Sequence, residues 1–234
     1  MTCRAVLFDF DGTLSPSLPL WVKAYSIALQ QYGIVLDEDE VWRRCMFRDW
    51  EQIAADLALG PGAELQSRVH AGLRLAFAEA ELFPLARQLV EHCRLHGLRT
   101  ALVTSSPRTP VAEVLERLAL TELFDFVICG GDVQNYKPHP EPLLMTLAAL
   151  QCSPAEAIMI GDSHVDVLAG KAAGTRTALY LPAVESRFHN AERLRATLPD
   201  HTFSDHSEVP ALLGLPAMAL PATAMIRQGR GTFA

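Results

Sequence analysis

Four short stretches of this 234-residue chain carry the residue types that handle phosphate. Asp9-Phe10-Asp11-Gly12-Thr13 sets two carboxylates one residue apart, and Gly161-Asp162-Ser163-His164-Val165-Asp166 adds two more. Thr104-Ser105-Ser106 offers hydroxyls, and Lys137 stands within Tyr136-Lys137-Pro138-His139-Pro140. Carboxylates gathered in one crevice repel one another unless a cation neutralises them, and hard oxygen donors of this kind select Mg²⁺ over softer metals. Mg²⁺ keeps several waters and shares its remaining positions with substrate phosphate, while Lys137 and the Thr104 hydroxyl can bind other phosphoryl oxygens. The chemistry that fits is phosphoryl transfer.

That chemistry needs the four stretches to converge, which strand ends of a parallel sheet achieve. Nearly continuous apolar runs at residues 5–8, 100–103, 126–129, 157–160 and 177–180 suit parallel strands buried on both faces. Helical periods at 85–96, 111–120, 142–150 and 164–173 alternate with them, which predicts an α/β fold with a doubly wound parallel sheet. The interval 18–83 breaks the rhythm and reads as an all-helical insert. Trp21, Ala24, Tyr25, Ala28, Leu29 and Tyr32 mark one apolar face, with Gly33 as a stop. Asp37 followed by Glu40 suits a helix cap, and Leu65, Val69, Leu73 and Phe77 mark a further helix. Residues 1–17 and 84–213 then form the core, and 214–234 an irregular tail without assigned function.

Half the residues are hydrophobic, enough for one well-filled core plus a smaller module. A net charge of -7 without a basic block argues against nucleic acid as a partner. No apolar run is long enough for a membrane span, and five scattered cysteines without a CxxC pattern suit free thiols in a reducing cytoplasm. The expected partner is a small phosphorylated metabolite, and the expected state is a monomer or weak homodimer.

Taken in order, Asp9-x-Asp11-Gly12-Thr13, the Thr104 hydroxyl, Lys137 before Pro138 and Gly161-Asp162-x-x-x-Asp166 resemble the four motifs of the haloacid dehalogenase superfamily. The stretch from Gly130 to Pro138 and Ala172-Ala173-Gly174 are similar to the branch of phosphoglycolate phosphatase and β-phosphoglucomutase, which carries a helical cap where 18–83 lies here. The resemblance implies that Asp9 is the nucleophile and Asp11 the general acid and base. It implies a metal shell of the Asp9 and Asp162 side chains and the Asp11 carbonyl, with Asp166 in or beside it, and a phosphate clamp of Thr104, the Ser105 N–H and Lys137. Asp166 has a second reading, as the cap of the helix that follows Ser163.

The leading expectation is a Mg²⁺-dependent phosphatase acting on a phosphoglycolate-like ester or sugar phosphate through an aspartyl-phosphate. The alternative is a mutase, whose cap histidine falls on Trp21 when the motifs are aligned without a gap. Trp21, Tyr25 and Phe77 are expected in the cap's own core, and His139 and His164 as exposed turn or helix residues. Of the cap arginines Arg43, Arg44 and Arg48, Arg48 is the specificity candidate, as the recogniser of a second anionic group. Where the branch commonly has glycine after Phe-Pro, this chain has Leu85.

Overall fold

The computed structural model describes residues 3–219. Six strands, β1 (Ala5–Phe8), β2 (Arg99–Pro107), β3 (Phe126–Gly130), β4 (Ala157–Gly161), β5 (Arg176–Tyr180) and β6 (His201–Phe203), form one sheet in the order β3-β2-β1-β4-β5-β6. Every neighbouring pair is parallel. The chain works outward from β1 through β2 and β3, then returns to the far side of β1 with β4. That reversal opens a crevice beyond the carboxyl ends of β1 and β4. Phe8 lies opposite both Leu102 and Ile160, and the Asp9 N–H donates to the Ile160 carbonyl at 2.9 Å, so Asp9 leaves the sheet level with the end of β4.

Helices α1 (Leu18–Gln30), α2 (Glu38–Cys45), α3 (Trp50–Asp56) and α4 (Gly62–Phe77) follow β1. Helices α5 (Ala86–Leu95), α6 (Arg108–Arg117), α7 (Glu141–Ala149) and α8 (His164–Ala173) then alternate with the strands. Alternate residues of β1 feed opposite layers: Val6 and Phe8 share a core with Leu89, Val90 and Cys93 of α5, while Ala5 and Leu7 share another with Leu143, Leu147 and Ala169. Covering on both faces is the reason these strands read as unbroken apolar runs. Among the described residues no helix is long and apolar enough to cross a membrane.

Local signals account for most of these boundaries. Asp37 and Glu40 cap α2 reciprocally, the Glu40 N–H donating to Asp37 at 2.7 Å. Four elements have no signal in the apolar pattern: β6, three residues at the sheet edge; α9 (Ala191–Arg195) and α10 (Val209–Leu213), five residues each; and α3, one short stretch started by the Asp49 side chain, which accepts from the Glu51 and Gln52 N–H groups. Leu85, where the branch prefers glycine, has a left-handed backbone with φ 64°, which costs a side-chain-bearing residue about 1–2 kcal/mol. The buried His206 ring bridges the Thr13 carbonyl at 3.0 Å and the Pro84 carbonyl at 3.2 Å. It thereby ties together the two chain segments that lead into and out of the α1–α4 helices. Residues 214–219 have neither helix nor strand, and the rest of the expected tail lies outside the described residues.

Candidate active site

Asp9, Asp162 and Asp166 each present a carboxylate oxygen, and these atoms lie within 4.8 Å of one another with all three residues buried. Lys137 enters the same cluster, its Nζ standing 2.8 Å from Asp9 Oδ1 and 2.6 Å from Asp166 Oδ1 and donating to the Val103 carbonyl at 2.9 Å. One ammonium cannot neutralise three carboxylates. Burial first, then the Asp166 charge, pushes the Asp9 carboxyl above its usual range, and burial with Asp166 and Asp9 does the same to Asp162. Burial alone would lower the Lys137 ammonium, yet Asp166 and Asp9 hold it above its ordinary value. Asp162 Oδ2 is buried without a hydrogen-bond partner among the described residues. Hard donors, excess buried negative charge and an orphaned oxygen suit a divalent cation such as Mg²⁺.

Asp166 lies in the carboxylate cluster and also caps α8. Its carboxylate accepts from the Ser163 N–H at 3.1 Å and from the Ser163 hydroxyl, capping α8, while its other oxygen faces Lys137. The packing behind these carboxylates excludes side chains. A Cβ on Gly161 would lie 2.2 Å from Asp166 Cγ, and one on Gly12, whose φ is 71°, would lie 2.2 Å from Asp162 Oδ2. Gly161→Ala is therefore expected to displace Asp166 and Lys137 with it. Because misplacement by about 1 Å costs about 10²-fold, kcat/KM for phosphate release should fall by that order. Activity within about threefold of wild type would mean that the position of Asp166 does not matter.

Asp11 stands apart from the three-carboxylate cluster. Its oxygens accept from the Ser17 hydroxyl at 2.6 Å and the Ser106 hydroxyl at 2.5 Å, with Thr104 Oγ1 at 3.4 Å. Burial raises its carboxyl despite these donors. The Thr104 hydroxyl accepts from the Ser106 N–H at 3.0 Å and faces Asp11 at 3.4 Å, while Ser105 and Ser106 line the crevice.

A cavity of about 560 Å³ lies between the strand ends and the helical segment. Asp9, Asp11, Lys137 and Asp162 line its floor. Trp21 and Tyr25 line its other wall; Tyr25 is also buried in the helical core, as expected, and Trp21, half-buried, packs against that core. Phe77, 1% exposed, also belongs to the core and packs on Phe10 at 6.0 Å. His164 also lines the cavity and meets Phe47 edge-on at 5.3 Å, while His139 is exposed. Arg48 lines it too, but its guanidinium is ion-paired with Asp56 and donates to the Arg44 carbonyl at 2.9 Å.

Two buried groups carry no sequence signal at all. His189 Nε2 stands 3.5 Å from Asp162 Oδ2, and burial pushes its imidazole down to about 4. Glu185 is buried with neither carboxylate oxygen hydrogen-bonded among the described residues, and burial pushes it up to about 8. An acid with a higher pKa folded than unfolded gives most stability below its unfolded value and loses it as pH rises through the folded one. The Tm should fall between about pH 5 and pH 8, and fall less in Glu185→Gln. Identical pH profiles of Tm for the two proteins would remove Glu185 from that account.

Comparison with known proteins adds to this geometry. A family profile of haloacid dehalogenase-like hydrolases matches residues 6–180. The phosphoglycolate phosphatase of Salmonella paratyphi A is 31% identical over 239 residues, covering 91% of this chain and 93% of that protein. A Lactobacillus plantarum structure provisionally assigned as a phosphoglycolate phosphatase is 26% identical with a TM-score of 0.78, covering 91% of this chain and 100% of that one. CbbY of Rhodobacter sphaeroides, solved in complex with phosphate, is 24% identical with a TM-score of 0.77, covering 92% and 100% respectively, a likeness of fold.

Proposed function

The chain belongs to the haloacid dehalogenase-like hydrolases, and on that footing we propose that it is a Mg²⁺-dependent phosphatase that hydrolyses a small phosphate monoester through an aspartyl-phosphate on Asp9. The observation that carries the reading is the buried cluster of Asp9, Asp162 and Asp166 around one lysine. Such a cluster has an electrostatic reason to exist if a cation and a phosphoryl group are its ligands.

In this reading an Asp9 oxygen attacks phosphorus, the bond to the leaving alkoxide breaks, and Asp11 gives that alkoxide its proton. Asp11 then takes a proton from the water that attacks the aspartyl-phosphate, so that inorganic phosphate leaves and Asp9 is restored. Ser17 and Ser106 hold the Asp11 carboxyl in place, and its burial favours the protonated form the first step needs. The side chains of Asp9, Asp162 and Asp166 and the Asp11 carbonyl would hold Mg²⁺, which when bound supplies positive charge to the phosphoryl oxygens. Lys137 and the Ser105 N–H are the proposed phosphate contacts, with Thr104 steadying Asp11 and the Ser106 backbone.

Residues 18–83 act as a cap over the core of 1–17 and 84–213, excluding bulk water during transfer. Trp21, where the mutase branch has histidine, offers an N–H donor and no basic nitrogen, which favours water over a second sugar hydroxyl as acceptor. Five free cysteines support a reducing, cytoplasmic setting. The test is inorganic phosphate release from a panel of phosphate monoesters with Mg²⁺ and with EDTA. Mg²⁺-dependent release is expected, and no release from any ester would overturn the reading.

A further inference from the structure

The cavity over Asp9 has more room than a two-carbon acid needs. Its volume of about 560 Å³ falls among those that enclose drug-sized ligands, about 300–1,000 Å³. Its helical wall is a run of rings. Trp21 and Tyr25 have centroids 6.2 Å apart, Tyr25 and Trp50 stack at 5.7 Å, and His70 closes the row edge-on to Trp50 at 5.8 Å.

Two further rings reach the same cavity from loops, Phe47 from the helical segment and Tyr136 from the core, 51% and 41% exposed. Phe47 has a φ of 55°, a left-handed conformation that costs a non-glycine residue free energy. Burial does not offset that cost, because half of the residue remains in water. Trp42 and His164 meet the ring edge-on at 5.8 and 5.3 Å, and the rest of it is open to the cavity.

Charge separates the possible ligands. Arg48, paired with Asp56 and the Arg44 carbonyl, is the only cation the helical segment contributes to the described lining. Gln66 and His70 are the neutral polar groups of that wall, burial holding His70 below its ordinary value. A second carboxylate or phosphate would be desolvated against rings without a free counter-charge, which is unfavourable. A bare sugar would strip water from several hydroxyls for few partners. A flat uncharged ring loses little and gains stacking, with Gln66 and His70 able to meet polar atoms on its edge.

We propose that the substrate is a phosphate monoester of an alcohol carrying a flat, uncharged aromatic or heteroaromatic ring, packed against the Trp21–Tyr25–Trp50 wall and Phe47. This substrate class rests on the hydrolase reading above. The experiment compares kcat/KM for benzyl phosphate, 2-naphthylmethyl phosphate and a nucleoside monophosphate with that for phosphoglycolate, glycerol phosphate and glucose phosphate. At least one ring-bearing ester should exceed every ring-free one by about tenfold or more, and which of the three leads identifies the ring. In Phe47→Ala, a change at a half-exposed position, the ratio of kcat/KM for that ester to glycerol phosphate should fall by about tenfold, mainly through KM. The Asp9→Asn variant supplies a readout without turnover: the same ring-bearing ester should quench tryptophan fluorescence, and phosphoglycolate at equal concentration should not. Preference for a ring-free ester, or an unchanged ratio in Phe47→Ala, overturns the substrate class and leaves the hydrolase reading standing. No release from any of the six esters overturns the hydrolase reading itself.

Discussion

Replacing Asp9 with asparagine is expected to lower phosphate release by at least about 10⁴-fold while leaving the protein folded. The amide is nearly isosteric with the carboxylate but cannot displace an alkoxide from phosphorus, so the loss should appear in kcat. Stability should move the other way. Asp9 is one of three buried carboxylates sharing a single lysine, and burial together with Asp166 already disfavours its charge. Without divalent ion at neutral pH, Asp9→Asn should therefore melt at a higher temperature than wild type. Wild type with Mg²⁺ should trap beryllium fluoride, an aspartyl-phosphate mimic, and the variant should not. Unchanged turnover in Asp9→Asn would rule out transfer to this side chain, and a lower Tm without metal would show that the cluster is balanced in some other way.

Asp162→Asn separates metal binding from nucleophilic attack. Asp162 lies at the end of β4 beside Asp9, and its Oδ2 has no hydrogen-bond partner among the described residues. Losing that hard anionic donor should weaken Mg²⁺ binding and lower activity at fixed Mg²⁺ by about 10³-fold or more, partly recovered at higher concentration. The second readout is thermal. A ligand present at about 100 times its Kd stabilises by about 2.7 kcal/mol, which in a chain of this size raises Tm by about 5–10 °C. Wild type should show that rise with Mg²⁺, and Asp162→Asn should lose most of it. An equal Mg²⁺-induced rise in both proteins would place the ion elsewhere.

Much of the site was legible because strand-end chemistry is written locally. An apolar run of four or five residues followed by Asp-x-Asp-Gly or Gly-Asp can be read without knowing the rest of the fold, and β1 and β4 end where those runs end. The capping pair Asp37 and Glu40 is of the same kind, since both partners lie within one turn. The elements without a signal are the short ones. Three residues of β6, five each of α9 and α10 and seven of α3 are too few to establish a period, and their neighbours hold them in place.

Helical periodicity marks Trp21 and Tyr25 as apolar positions on α1, but an apolar face is the same whether another helix or an open cavity covers it. Tyr25 is buried in the helical core with Ala24, Ala28 and Leu29, and it and Trp21 also border the cavity. Arg48, whose place along the chain suits anion recognition, lines the cavity with its guanidinium paired to Asp56, eight residues on.

The sequence by itself determined the strand order of chemistry: which residues sit at strand ends, which carboxylates would face one another, and that a cation would be wanted among them. Only the tertiary structure decided how those groups are held. Ser106 and Ser17 grip Asp11, Glu185 and His189 arrive beside the cluster from a loop after β5, and Gly12 and Gly161 make room for Asp162 and Asp166. The physical reason is range. Capping and burial patterns act over a few residues and leave their period in the chain, whereas desolvation, like-charge repulsion and close packing depend on distances between groups more than a hundred residues apart, which the fold alone sets.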